Sequence, residues 1–273
     1  LEALTHLKHL DELIHRPLIL DILALPYSTL SPENIPDTAT ETWFLNWFWD
    51  KVVKLGYPSM ASKRGKANNR ERILLEVAEL SISNEEEPFP GFDKSFDNES
   101  VTSLVSDNIL SKQNHSLAFS HSVFRDWAIT KLLMNHTNGI DEFIKKYNET
   151  PKLIRPFRLY SMKLLDNDSS RQKWFQLLKT FQNIPDVSSV WYNTALTAPL
   201  FSRAVSFSNI GQEMLKKNNS FLRDMFSALR TIYVRPSKEA YISFGSLPKK
   251  EFDKYVDKLP EIIKEPTYVG VHP

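Results

Sequence analysis

LAFSHSVFRDWAITKLL, residues 117–133, changes its period halfway along. Leu117 and Phe119 alternate with Ala118 and Ser120, as on a strand with one buried side, and from Ser122 the spacing turns helical and predicts a helix to about Met134. Just upstream, Ile109 and Leu110 followed by Lys112-Gln113-Asn114-His115 predict a small hairpin that closes on this strand. His121 therefore stands where a strand hands over to a helix.

Outward from this segment the chain reads as helix. Ser100 is expected to cap a short helix carrying Val101, Leu104 and Val105, and residues 85–97 read as a loop. Ile73, Leu74, Val77 and Leu80 give residues 71–82 an apolar face, behind a polar, basic connection at 59–69. Thr38 and Glu41 have the spacing of a capping box for a helix over about 39–55, whose aromatic stripe of Trp43, Phe44, Trp47, Phe48 and Trp49 reads as core. Residues 1–25 predict two short helices meeting at Arg16-Pro17. Beyond Gly139 only helices are expected, over 140–147, 153–165, 171–181, 187–207, 211–217, 221–233 and 252–264, without a fixed repeat period. Three helices, a hairpin and a closing helix are the order of a winged-helix domain.

Composition narrows the chemistry. The 273 residues are 41% hydrophobic and 25% charged, which suits a folded core. Thirty-four Lys and Arg against 33 Asp and Glu leave a net charge of +1, so any charged site must be local. Cysteine is absent, which excludes disulfides, thiolate metal sites and a thiol nucleophile, and fits a reducing, intracellular setting. No apolar run reaches the ~18 to 20 residues that a membrane span needs. The first residue, Leu1, already lies in a helical pattern, so the chain is expected to be part of a longer protein.

No nucleotide-hydrolysing motif is present. G-x-x-x-x-G-K-[ST] occurs nowhere, since Gly65-Lys66 is followed by Ala67 and no glycine precedes it at the needed spacing. No G-x-S-x-G turn positions a serine, and His6, His9 and His15 lack a carboxylate at a metal-binding spacing, so neither a catalytic residue nor a metal site is expected. The basic run of Lys63, Arg64, Lys66, Arg70 and Arg72 has two readings: phosphate contacts of a DNA-binding winged helix, or a solvated linker. The neutral net charge and the adjacent Glu71 and Glu76 favour the linker. His121 also has two readings of nearly equal weight. It is either a donor to a phosphate at a helix N-terminus or simply the helix cap.

Phe119-x-His121-x-x-Phe124-x-Asp126-Trp127 resembles the winged-helix histidine motif of STAND-class NTPases, the signal-transduction ATPases with numerous domains, in particular the NACHT and related prokaryotic antiviral proteins. Arg16-Pro17-Leu18-Ile19-Leu20, after a Leu-x-x-Leu helix, resembles the lid motif of the same class. The resemblance extends to residue 137 and includes the order of the parts. It implies a mainly α chain with a helical lid domain at 1–58, a winged-helix domain with one small β-hairpin at 59–137, and a helical-repeat-like sensor region at 138–273. It also implies ADP or ATP as the cofactor, with Mg²⁺ held by a core that this chain does not contain. Pro17 would line the base pocket beside Arg16 or Leu18, and His121 would reach the β-phosphate of ADP. The parent would be a cytoplasmic ATPase in antiviral defence. Its partners would be its own NTPase core, a protein trigger on the helical region and further copies of itself on activation; no membrane and no nucleic acid are expected. The alternative is a winged-helix DNA-binding regulator with a helical partner-binding domain, using Lys63, Arg64, Lys66 and Arg70.

Overall fold

The computed structural model describes residues 40–54, 67–83, 89–90, 96–114, 116–136, 139–147, 150–167, 171–184, 189–202, 207–217 and 219–232. The expected helices at 1–25 and 252–264 and residues 59–66 of the connection expected at 59–69 lie outside them, while 67–69 are not connection but the start of a helix. Among the described residues the chain is mainly helical with one small antiparallel sheet. None of these helices is long and apolar enough to cross a membrane. Packing divides the chain into two compact units, Leu1–Ser206 and Phe207–Pro273.

The first unit opens with α1, Glu41–Phe48. Its cap is Thr40 rather than the expected Thr38: Thr40 is extended, and its side chain accepts from Trp43 N at 3.3 Å. The aromatic stripe divides as a helix of this kind must, with Phe44, Phe48 and Trp49 buried. The helix then widens into a π turn over Trp49–Val53, where Lys54 N bonds Trp49 O at 3.0 Å. The carbonyls freed at Val52 and Val53 are taken by Arg70 from α2, Ala67–Ser83.

Between α2 and α3, Asn98–Ser106, the expected loop contains β1, Phe89–Pro90. This strand pairs with β3, Ser116–Phe119, which also pairs with β2, Leu110–Gln113, so the sheet has the order β1-β3-β2. Pro90 lacks an N–H to donate, and the edge of a sheet is where that is tolerated. The cap of α3 is Asp97 rather than Ser100, accepting from Ser100 N at 3.1 Å and Ser100 Oγ at 2.5 Å. The hairpin turn uses Asn114 in the left-handed region, φ 53°, which Asn tolerates better than most residues.

α4, Ser122–Asn135, packs along α2 on one side and α6, Pro151–Asn167, on the other. Gly139 begins the short α5, Ile140–Lys146, at φ 95°; a Cβ there would meet Asp141 Oδ1 at 2.7 Å. Pro156 lies within α6 and cannot donate to the preceding turn. Beside it, the Thr130 Oγ1 of α4 lies 3.2 Å from Pro156 O and 2.7 Å from Asp126 O. α7, Gln172–Asn183, buries Trp174, Phe175, Leu177, Leu178 and Phe181. α8, Ser189–Thr197, carries Trp191 against Phe157, and Trp174 Nε1 donates to Ala195 O at 3.0 Å. The long helix expected at 187–207 is instead α8 and a 3-10 turn, Ala198–Leu200, centred on Pro199. The second unit contains α9, Phe207–Lys217, and α10, Asn219–Ile232, packed against each other with Ile210, Met214, Phe221 and Met225 buried.

Candidate functional site

The junction of β3 and α4 sorts the motif into inner and outer residues. Phe119 ends the strand and is buried, and Ser120 is clamped to the preceding turn by its N–H to Ile109 O at 3.0 Å and its hydroxyl to the carbonyl of Asn108. Phe124 and Trp127, on the inner face of α4, contact Phe48 of α1 with ring centroids at 5.1 and 5.2 Å. These apolar contacts contribute on the order of 2 kcal/mol for each buried ring. They fix the height of the helix on the core. His121 is left outside.

His121 is extended, φ −147° and ψ 143°, and exposed. Its Nδ1 accepts from Val123 N at 3.1 Å, and its carbonyl accepts from Phe124 N at 3.1 Å. It is therefore the helix cap. The two sequence readings are compatible, because a neutral ring that accepts at Nδ1 carries its proton on Nε2. One nitrogen closes the first turn and the other is a donor. The positive end of the α4 dipole lies at the same place.

Asp126 is nine-tenths buried and ion-paired: Arg155 Nη1 donates to its Oδ2 at 2.8 Å, and Arg125 Nη2 lies 3.5 Å from its Oδ1. Burial pushes the Asp126 carboxyl above its ordinary value, and Arg155 and then Arg125 oppose that shift. Arg155 Nη2 also reaches Glu41 of α1, whose Oε1 accepts from Trp127 Nε1 at 3.3 Å. Further along α4, Lys131 Nζ donates to Asn46 Oδ1 at 3.0 Å and lies 5.7 Å from the centre of the Trp49 ring. Burial pushes its ammonium below the usual lysine value.

Of the other expected site residues, Pro17, Arg16, Leu18, Lys63, Arg64 and Lys66 lie outside the described residues. Arg70 is described and requires a correction. It is fully buried, with Nε on Val53 O at 2.6 Å, Nη2 on Asp107 Oδ2 at 2.5 Å and Nη1 on Ser103 Oγ. A guanidinium enclosed in this way has no face for a phosphate, so Arg70 is neither a nucleic-acid contact nor part of a solvated linker.

A groove between α2 and α4 is lined by Glu71, Arg72, Leu75, Glu79, Leu132 and Asn135, among others, and His121 is not among them. Its carboxylates are already engaged. Glu71 accepts from Trp49 Nε1 at 2.7 Å, Glu76 pairs with Arg72 at 2.9 Å, and Glu79 accepts from Lys146 Nζ at 2.5 Å and Tyr147 Oη at 2.8 Å. Among the described residues no cluster of His, Asp and Glu is arranged to hold a metal. The Glu41–Arg155–Asp126 network was not anticipated, because its members are spread over more than a hundred positions without a shared motif. Comparison with known proteins finds no matching family model and no matching curated protein.

Proposed function

We propose that this chain is the regulatory portion of an intracellular STAND NTPase, consisting of lid, winged helix and helical sensor region, in a parent that acts in antiviral defence. The observation that carries the reading is His121: exposed, at the first turn of a long helix, with Nδ1 closing the cap and Nε2 as the remaining donor. The winged-helix assignment is supported by the succession of helix, edge strand, helix, hairpin and helix, and by the strand order β1-β3-β2.

In the resting state Nε2–H of His121 donates to the β-phosphate of ADP held by the parent's core. The dipole of α4 adds favourable charge at the same end. A contact made in the ADP state and lost on exchange to ATP is a differential interaction, and a switch between two domain arrangements requires one. Activation then exposes an assembly surface on the core, and the parent oligomerises in the cytoplasm. The helical region takes the trigger, a protein.

The DNA-binding alternative loses Arg70 to the interior and retains Lys63, Arg64 and Lys66. Two observations test the choice. The parent's upstream reading frame is expected to encode a Walker-type core, and the protein that includes it is expected to bind ADP. A frame without such a core, or salt-dependent duplex binding that Lys63, Arg64 and Lys66 substitutions abolish, overturns the proposal.

A further inference from the structure

Arg155 belongs to α6 but bonds two carboxylates on two other helices. Nη1 donates to Asp126 of α4 at 2.8 Å and Nη2 to Glu41 of α1. The guanidinium is planar and its donors diverge at fixed angles, so engaging both acids sets direction as well as distance. The rings of Phe124, stacked on Phe48, and of Trp127, tilted against it, also join α4 to α1, as do the bonds of Trp127 Nε1 to Glu41 and of Lys131 Nζ to Asn46, but none of these contacts involves a residue of α6. Exposure falls from the edge inward, with the Arg155 side chain at 29%, Glu41 at 14% and Asp126 at 9%. Asp126 begins the second turn of the helix that His121 caps.

We infer that Arg155 is a positioning residue for the His121 end of α4 and the joint through which a displacement of α6 reaches it. Withdrawing this one side chain removes the charged ties of α6 to α4 and to α1 in one step and leaves two partly desolvated carboxylates without the guanidinium they share. The inference rests on the nucleotide reading only for what His121 does; the coupling itself is a property of three helices. A demonstrated element whose arrangement both ends bias is what a coupling requires, beyond mere adjacency.

Hydrogen exchange on the whole 273-residue chain tests it without any nucleotide, so its failure is separate from failure of ADP binding. In Arg155→Gln, amides of residues 123–126 and 42–45 are expected to exchange about tenfold faster or more, while those of residues 174–181 in α7 stay as in the wild type. Arg155→Lys, which keeps the charge and loses the fork, is expected to leave at least one of the two segments unprotected. Adding Glu41→Gln and Asp126→Asn to Arg155→Gln removes the two carboxylate charges that Arg155 engages. It is expected to recover the melting temperature but not the protection of 123–126; a purely structural role would recover both. If Arg155→Gln does not fold, Asp126→Asn alone is expected to release residues 123–126 and spare 42–45. Unchanged exchange at 123–126, or an even rise that includes α7, overturns the inference.

Discussion

Two arginine junctions hold the first unit together, and they differ in how far water can reach them. Arg70 and Asp107 are sealed, at 0% and 1% side-chain exposure, and their partners include backbone carbonyls that the π turn of α1 leaves open. Arg155 is open at one side, and both of its partners are carboxylates on other helices. The sealed junction closes a defect in the backbone and cannot exchange partners. The open junction joins three helices through side chains alone, with one edge in water. The same chemistry, placed at two depths, makes a fixed point and a joint.

The contrast is tested most strongly at the sealed end. Arg70→Met removes the guanidinium that faces the buried Asp107 and is expected to cost about 3 to 5 kcal/mol, because taking away one partner of a buried ion pair is strongly destabilising. Chemical denaturation of the variant checks this, and a loss under 1 kcal/mol would mean that water reaches the site. Arg155→Met is expected to cost less, about 2 kcal/mol, since its guanidinium is partly hydrated already. Equal losses at the two positions would erase the distinction.

His121→Ala removes a cap and nothing from the core. A loss of about 1 kcal/mol or less is expected by thermal melting, as for other helix caps. A larger loss would show that the residue is structural first.

The smallest effects concern pH, and two carboxylates outside the sealed junction, Asp126 and Glu79, move oppositely. Burial raises Asp126, so its contribution to stability is present below its unfolded value and is lost as pH rises through the folded value. Lys146 and Tyr147 hold Glu79 below its ordinary value, so its contribution is present above the unfolded value and is lost as pH falls through the folded one. Melting curves between about pH 3 and pH 6 are expected to show Asp126→Asn gaining on the wild type as pH rises. Lys146→Ala is expected to lag the wild type only at the upper end of that range, by a few tenths of a kcal/mol, as for a solvent-exposed pair. Parallel curves for all three proteins would remove the opposition.

The apolar pattern made the secondary structure readable where residues alternate or repeat over several turns. The hairpin, α4 and the aromatic stripe of α1 all lie where Leu117, Phe119, Trp127, Phe44 and Phe48 indicate. Short or pairwise features escaped. β1 is two residues long and contains a proline, so no local signal separates it from a loop. Thr40 rather than Thr38 caps α1 because Glu41, needed for the expected capping box, turns instead to Arg155 and Trp127. Arg70 stands among basic residues in sequence, but in space it is enclosed by Ser103, Asp107 and the carbonyls of Val52 and Val53, and its acidic partner is 37 positions away. At the candidate site the sequence indicated His121 and its place at the strand-to-helix turn; the role of Asp126 and Trp127 in tying that helix to α1 and α6 depended on tertiary pairing.

The central claim is that Nε2 of His121 is kept available for a phosphate. Release of labelled ADP from the parent protein, core included, tests it most directly, with wild type and His121→Ala compared side by side. The expected result is ADP release faster by about tenfold in the variant, the worth of one charge-assisted hydrogen bond, with release of a non-hydrolysable ATP analogue unchanged. Identical ADP release in the two proteins, or equal acceleration for both nucleotides, would contradict it.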